Sequence, residues 1–142
     1  MKNSLTFNLI DDSDGLTCNI IVLRDQIIFA TTVYTDLAQF SKQIDALEEL
    51  VKEKMFGNQR RICEVHLGAK GVESPGLAAK FECSETGRIR VFLGLRSLND
   101  LYGEAVIDAC SLNLVTEIGL LDSFIADARS IKIGEDVRLC LL

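Results

Sequence analysis

Alternation at period two runs through most of this chain, and it confines the fold to one rich in half-buried strands. Leu5, Phe7 and Leu9 alternate with polar residues, and Cys18, Ile20 and Val22 repeat the pattern. It returns in Leu77, Ala79, Phe81 and Cys83, and again in Ile89, Val91, Leu93 and Leu95. Successive side chains of a strand point to opposite faces, so each run predicts a strand with one face in the core. Turn-forming clusters separate the runs: Asp11-Asp12-Ser13-Asp14-Gly15, Arg24-Asp25-Gln26, and Glu85-Thr86-Gly87, which closes a hairpin onto 88–96. The stretch 27–34 is rich in β-branched and aromatic residues, as strands prefer. Further strands are predicted over 62–67 and 104–112, and Val137, Leu139 and Leu141 form a closing strand or an extended tail.

Two segments depart from this period. Leu37, Phe40, Ile44, Leu47, Val51 and Met55 recur every three or four residues, which places them on one face of a helix. Thr35 or Asp36 can cap its first turn, Lys52 and Lys54 suit the negative end of its dipole, and Gly57 fits the C′ position. Ile118, Leu121, Phe124 or Ile125, and Ala128 mark a second, shorter helix. No linker or low-complexity tract interrupts the chain, so residues 1–142 are expected to form a single domain. The expected class is α+β: a mainly antiparallel sheet of about six to seven strands, with one long and one short helix packed on one face. The stripe Ile89, Val91, Leu93 and Leu95 is the expected covered face.

At 142 residues, 48% hydrophobic and 25% charged, the chain is large and apolar enough to build a core without metal or disulfide. The five cysteines, Cys18, Cys63, Cys83, Cys110 and Cys140, are widely spaced and contain no CxxC pair, which fits reduced thiols used as core residues. The start of the chain leads directly into alternation rather than a signal sequence, and no apolar run approaches the roughly 20 residues needed to span a bilayer. A cytoplasmic location is expected. The net charge of −6 argues against nucleic acid and against an anionic membrane as partner, since both require a basic surface.

Few residues carry recognisable chemistry. His66, the one histidine, shares a strand face with Glu64, a pairing that can serve a base and its orienting group, but no nucleophile elbow accompanies it. The closest cysteines lie twenty residues apart, too far for the paired ligands of a structural zinc site. If Gly15 were the fixed glycine of a calcium loop, the first and last ligand positions would be Ile10 and Ile21, and neither can coordinate. Gly68-Ala69-Lys70-Gly71 lacks P-loop spacing, and no GxGxxG joins a strand to a helix. No cofactor, metal or catalytic residue is expected.

Charge is distributed unevenly. Between Ser97 and Ala128 there is no Lys or Arg, yet Asp100, Glu104, Asp108, Glu117, Asp122 and Asp127 all fall there. These six account for the whole net charge, and the rest of the chain balances. A locally single-signed surface steers and orients a basic protein partner, and these six residues are the expected partner-binding set. The same carboxylates would also simply solvate an amphipathic strand and helix. Arg88, Arg90 and Arg96, with Lys80 on the facing strand, form a smaller basic group that Glu82 partly neutralises.

The order of elements ends with Glu117-Ile118-Gly119-Leu120-Leu121 opening the short helix after three strands, an amphipathic helix and a second set of strands. In this the chain resembles small bacterial α+β domains, among them immunity proteins of contact-dependent toxin systems. The resemblance implies a non-enzymatic cytoplasmic protein that binds a cognate toxin domain and blocks its active site. An acidic surface would suit a nuclease toxin, whose substrate-binding face is basic. Two alternatives stay open: a ligand-binding or enzymatic domain with a pocket near His66, and a self-associating subunit, in the simplest case a homodimer, that pairs through a sheet edge.

Overall fold

The computed structural model describes residues 2–12, 15–55, 62–71 and 73–142. The chain runs β1 (Ser4–Asp12), β2 (Gly15–Arg24), β3 (Ile27–Thr35), α1 (Leu37–Met55), β4 (Ile62–Gly68), β5 (Gly76–Cys83), β6 (Arg88–Leu101), β7 (Glu104–Glu117), α2 (Ile118–Arg129) and β8 (Asp136–Cys140). The class is α+β with antiparallel pairing throughout, as the alternation predicts.

The expectation of one sheet of six to seven strands with both helices on one face requires correction. Eight strands form two four-stranded sheets, ordered β3-β2-β1-β8 and β4-β5-β6-β7. Alternation dictates that each strand buries one face, but it does not say what covers that face. Two helices cannot shield the apolar faces of eight strands, so the sheets also shield one another. Leu5, Leu9, Ile20 and Val22 of the first sheet join Leu67, Ile89, Val91 and Leu95 of the second in one core, which both helices enter. The stripe Ile89, Val91, Leu93 and Leu95 is buried as expected.

The two sheets are built by the same rule. The meander β4-β5-β6-β7 leads into α2; the meander β8-β1-β2-β3, read across the chain termini, leads into α1. After β3, α1 packs along β4 of the other sheet, and after β7, α2 packs along β8. One buried hydroxyl ties the sheets at each crossing. Thr31 on β3 donates to the Arg96 carbonyl on β6 (2.7 Å), and Thr116 on β7 donates to the Cys140 carbonyl on β8 (2.8 Å). Both threonines are buried, so each hydroxyl needs this partner.

Helix α1 begins where the sequence places it. The Asp36 carboxylate accepts the N–H of Gln39 at 2.7 Å, which satisfies one of the free donors of the first turn. Phe40, Ile44, Leu47, Leu50 and Val51 are buried, whereas Leu37, expected on that face, stands exposed at the helix start. Gly57 of the expected cap, and Ser13 and Asp14 of the first expected turn, lie outside the described residues. Arg129, at the end of α2, clasps the helices together by donating to Asp45 and Glu48 of α1. The hydrogen bond from Lys52, and then the one from Arg129, hold the Glu48 carboxyl below its ordinary value.

Candidate functional site

The strand expected over 104–112 continues to Glu117, and the strand expected to end at Arg96 continues to Leu101. The excess length produces the most distinctive feature of the molecule. Strand β5 begins at Gly76, opposite Arg96. Beyond that rung, Ser97–Leu101 and Glu104–Asp108 pair, among the described residues, only with each other, as a two-stranded arm extending past β5. Its tip is a two-residue turn, Tyr102-Gly103, with φ of 55° and 84°. Positive φ at both positions defines the type I′ turn, whose twist matches that of the flanking strands. The Asp100 carboxylate steadies it by accepting the Gly103 N–H at 2.9 Å.

The side chains of the arm combine acid and apolar groups. Leu98 and Leu101 are about half exposed, at 52% and 54%, and Tyr102 is completely exposed. Asp100, Glu104 and Asp108 stand among them, all exposed. Asn99 donates to Asp108 across the arm at 2.6 Å, which fixes that carboxylate's position. The arm also walls a groove of about 370 Å3 against the outer face of the first sheet. Its lining is uncharged: Ile21 and Ala30 with Asn19 and Thr32 on one side, Ser97, Leu98 and Asn99 on the other.

The six acidic residues of the 97–128 segment thus divide into groups. Glu104 and Glu117 are the two ends of the 14-residue strand β7, a span of roughly 43 Å at about 3.3 Å per residue. Asp100, Glu104 and Asp108 cluster on the arm. Glu117 lies at the far end of β7, on the rung opposite Arg88. Asp122 and Asp127 are exposed on α2, beyond Glu117. The structure brings the first three together and sets the last two apart from them.

Of the basic group, Arg96 is not free on the surface. Arg96 is committed to the loop before β5, donating to the Ser74 and Ala69 carbonyls at 2.9 and 2.7 Å. Lys80 lies over the Phe92 ring, 5.7 Å from its centroid, and Arg90 faces Glu82 across the sheet.

His66 is half-buried on β4, and its backbone N–H donates to the Gln43 side chain of α1 at 2.9 Å. Beside it an open groove of about 520 Å3 is lined by Glu64 and His66 of β4, Gln39, Lys42 and Gln43 of α1, and Lys70. The space enclosed between helices and sheets is far smaller, about 20 Å3 walled by Phe7, Phe40, Leu67, Phe124 and Leu139, and is too small for a ligand. Cys18, Cys63 and Cys83 are buried, and burial pushes the Cys18 thiol up to about 12, which makes it unreactive at neutral pH. Among the described residues no group of His, Cys, Asp or Glu is arranged to hold a metal ion, and no helix is long and apolar enough to cross a membrane.

No family model, curated protein or solved structure matches the chain. The arm's apolar residues, Leu98, Leu101 and Tyr102, escape sequence reasoning because none follows the alternation of a buried face. The signal that would have found them is the pair Tyr102-Gly103 midway between two long alternating runs.

Proposed function

We propose that this protein is a binding module for a basic protein partner, and that the acidic 97–128 segment is its binding region, with the β6–β7 arm as the leading contact. The arm is the observation that carries this reading. Interfaces concentrate their energy in a few apolar and aromatic anchors surrounded by polar groups, and charge speeds and orients the encounter. Leu98, Leu101 and Tyr102 supply anchors, and Asp100, Glu104 and Asp108 supply the charge. Immunity toward a basic toxin domain, such as a nuclease, is the biological role this chemistry fits. Asp122 and Asp127 extend the negative field without touching the same part of a small partner.

The test pairs two charge reversals. A basic protein retained from the native host's lysate at low salt, and released at high salt, supplies the ligand for kinetic measurement. Glu104→Lys with Asp108→Lys should slow association by about tenfold or more and flatten its salt dependence, while Asp122→Lys with Asp127→Lys should slow it only modestly. Unchanged association in both variants would remove the acidic segment from the interface.

A further inference from the structure

The backbone of the arm has a free side whose direction can be read from the hydrogen bonds. In an antiparallel pair, a residue's N–H and C=O point to the same edge, and successive residues alternate between edges. Near the base of β7, the Val115 carbonyl accepts the Leu142 N–H at 2.8 Å, and the Asn113 carbonyl accepts from the Arg24 guanidinium at 3.0 Å. Both donors lie away from β6, so the odd-numbered residues of β7 face the outer edge. The turn gives the same answer independently. A two-residue loop makes Leu101 and Glu104 the closing hydrogen-bonded pair, which turns the even-numbered residues toward β6. Ala105, Ile107, Ala109 and Ser111 therefore direct their N–H and C=O groups outward, and β7 pairs with no strand other than β6 among the described residues.

An uncovered edge of this kind is a template for another strand, and natural sheets ordinarily blunt such edges with charged side chains, Pro, bulges or a covering element. Here the base of the edge is closed by Leu142 and Arg24, whereas the arm has no Lys, no Pro and, among the described residues, no covering strand, so its only guards are the carboxylates, which repel acidic strands but attract basic ones. Along β7 here the side chains other than the carboxylates are small or aliphatic: Ala105, Val106, Ile107, Ala109 and Cys110. Charge selects the occupant. A strand laid along this edge passes Glu104 and Asp108, with Asp100 on the neighbouring strand, and meets no cation on the arm. A second copy of β7 would bring the same carboxylates against their own kind.

We propose that the outer edge of β7 from Ala105 to Ser111 receives an extended, lysine- or arginine-bearing segment of the partner, which adds to β6–β7 as a third strand. This rests on the reading of the chain as a binder of a basic protein and specifies how the arm binds. Backbone pairing supplies the affinity, and side chains at alternate positions of the incoming strand meet the carboxylates.

The probe is a blocked eight-residue peptide of alternating lysine and valine, compared with its glutamate-valine counterpart and with a lysine-valine peptide N-methylated at adjacent central residues, so that both of its edges are blocked. The lysine peptide should bind, and the other two should bind at least about tenfold more weakly, since each loses backbone donors or charge complementarity. Ala109→Pro removes an N–H that faces away from β6, a position where strands tolerate proline, and should weaken the lysine peptide and the natural partner by about tenfold or more. No binding of the lysine peptide, or equal binding of the N-methylated one, overturns the proposal. If Ala109→Pro binds the natural partner normally while Glu104→Lys with Asp108→Lys does not, edge pairing is overturned and the acidic-interface reading stands. A wild-type dimer that Ala109→Pro converts to a monomer in sedimentation would assign the edge to a second copy and overturn it as well.

Discussion

Replacing Tyr102 by asparagine should make the protein more stable while weakening its hold on a partner. Tyr102 has φ of 55° and is completely exposed, so its ring buries nothing that the substitution would forfeit. A left-handed conformation costs an ordinary L-residue roughly 1–2 kcal/mol, and asparagine is among the residues that tolerate it best. Asn-Gly is also the preferred pair for a type I′ turn, and Gly103 is already in place. The expected gain is about 1 kcal/mol. For 142 residues the unfolding entropy is about 0.3 kcal/mol per kelvin, so Tm should rise by about 3 °C if the arm unfolds with the core. If the arm opens by itself, the same gain should slow amide exchange at Gly103 and its neighbours by about fivefold, since about 1.4 kcal/mol is a factor of ten. Thermal unfolding and exchange measured by NMR together cover both cases. A lower Tm, or faster exchange in the arm, would show that Tyr102 contributes packing, and would refute the argument that this side chain is held there at a conformational cost.

The other expectations concern the core. Thr116→Val keeps the shape of a fully buried side chain but leaves the Cys140 carbonyl without its 2.8 Å donor, so stability in urea should fall by about 1–2 kcal/mol; a loss near zero would mean the crossing does not depend on that hydroxyl. Leu121→Ala empties a fully buried position where α2 enters the core and should cost about 2–5 kcal/mol, and a loss under about 1 kcal/mol would contradict the packing described. Thiol labelling at neutral pH should find exposed Cys140 first and leave Cys18 protected until unfolding. The Cys18 thiol is raised from 9 to about 12 by burial, so the unfolded chain ionises first as pH rises. The stabilisation from the protonated thiol is full below pH 9 and is lost as pH climbs toward 12. The advantage of the wild type over Cys18→Ala should therefore shrink through that window, by up to about 1.4 kcal/mol per pH unit, and a constant difference would refute the assignment.

Much of this architecture is legible in the residues because burial imposes a period. The runs Leu5-Phe7-Leu9 and Ile89-Val91-Leu93-Leu95 announce half-buried strands, and Phe40, Ile44, Leu47 and Val51 announce a helix; all are buried in the structure. What a period cannot convey is the identity of the covering layer. The alternation of β6 would look the same under a helix or under another sheet, and so the division into two sheets was not visible. Nor was the shared plan of the two meanders, because it joins β8 to β1 across the termini and leaves no repeat in the sequence. The length of β6 and β7 was obscured for a different reason. Past Arg96 neither face is buried, so Leu98, Asn99 and Asp100 fall outside both expected strands, although cross-strand pairing continues for five more rungs to Leu101 and Glu104.

That surplus length is what the proposed function rests on. The core is complete without it: the buried residues of β6 end at Leu95, and those of β7 begin at Leu112. Ordering a residue's backbone costs roughly 1–2 kcal/mol, and the arm recovers little of that through burial, since most of its side chains are exposed. It holds a tyrosine in a left-handed turn, leaves leucines in water and keeps an edge guarded only by carboxylates, features that work against stability or solubility. Features that weaken the isolated fold in several independent ways, all in one projecting segment, are accounted for together when a partner covers them. Under the proposed binding role, the carboxylates on the same segment would bias which partner arrives, and the geometry of the free edge would set how it binds. On this argument the arm, rather than α2, is where substitutions should separate binding from stability.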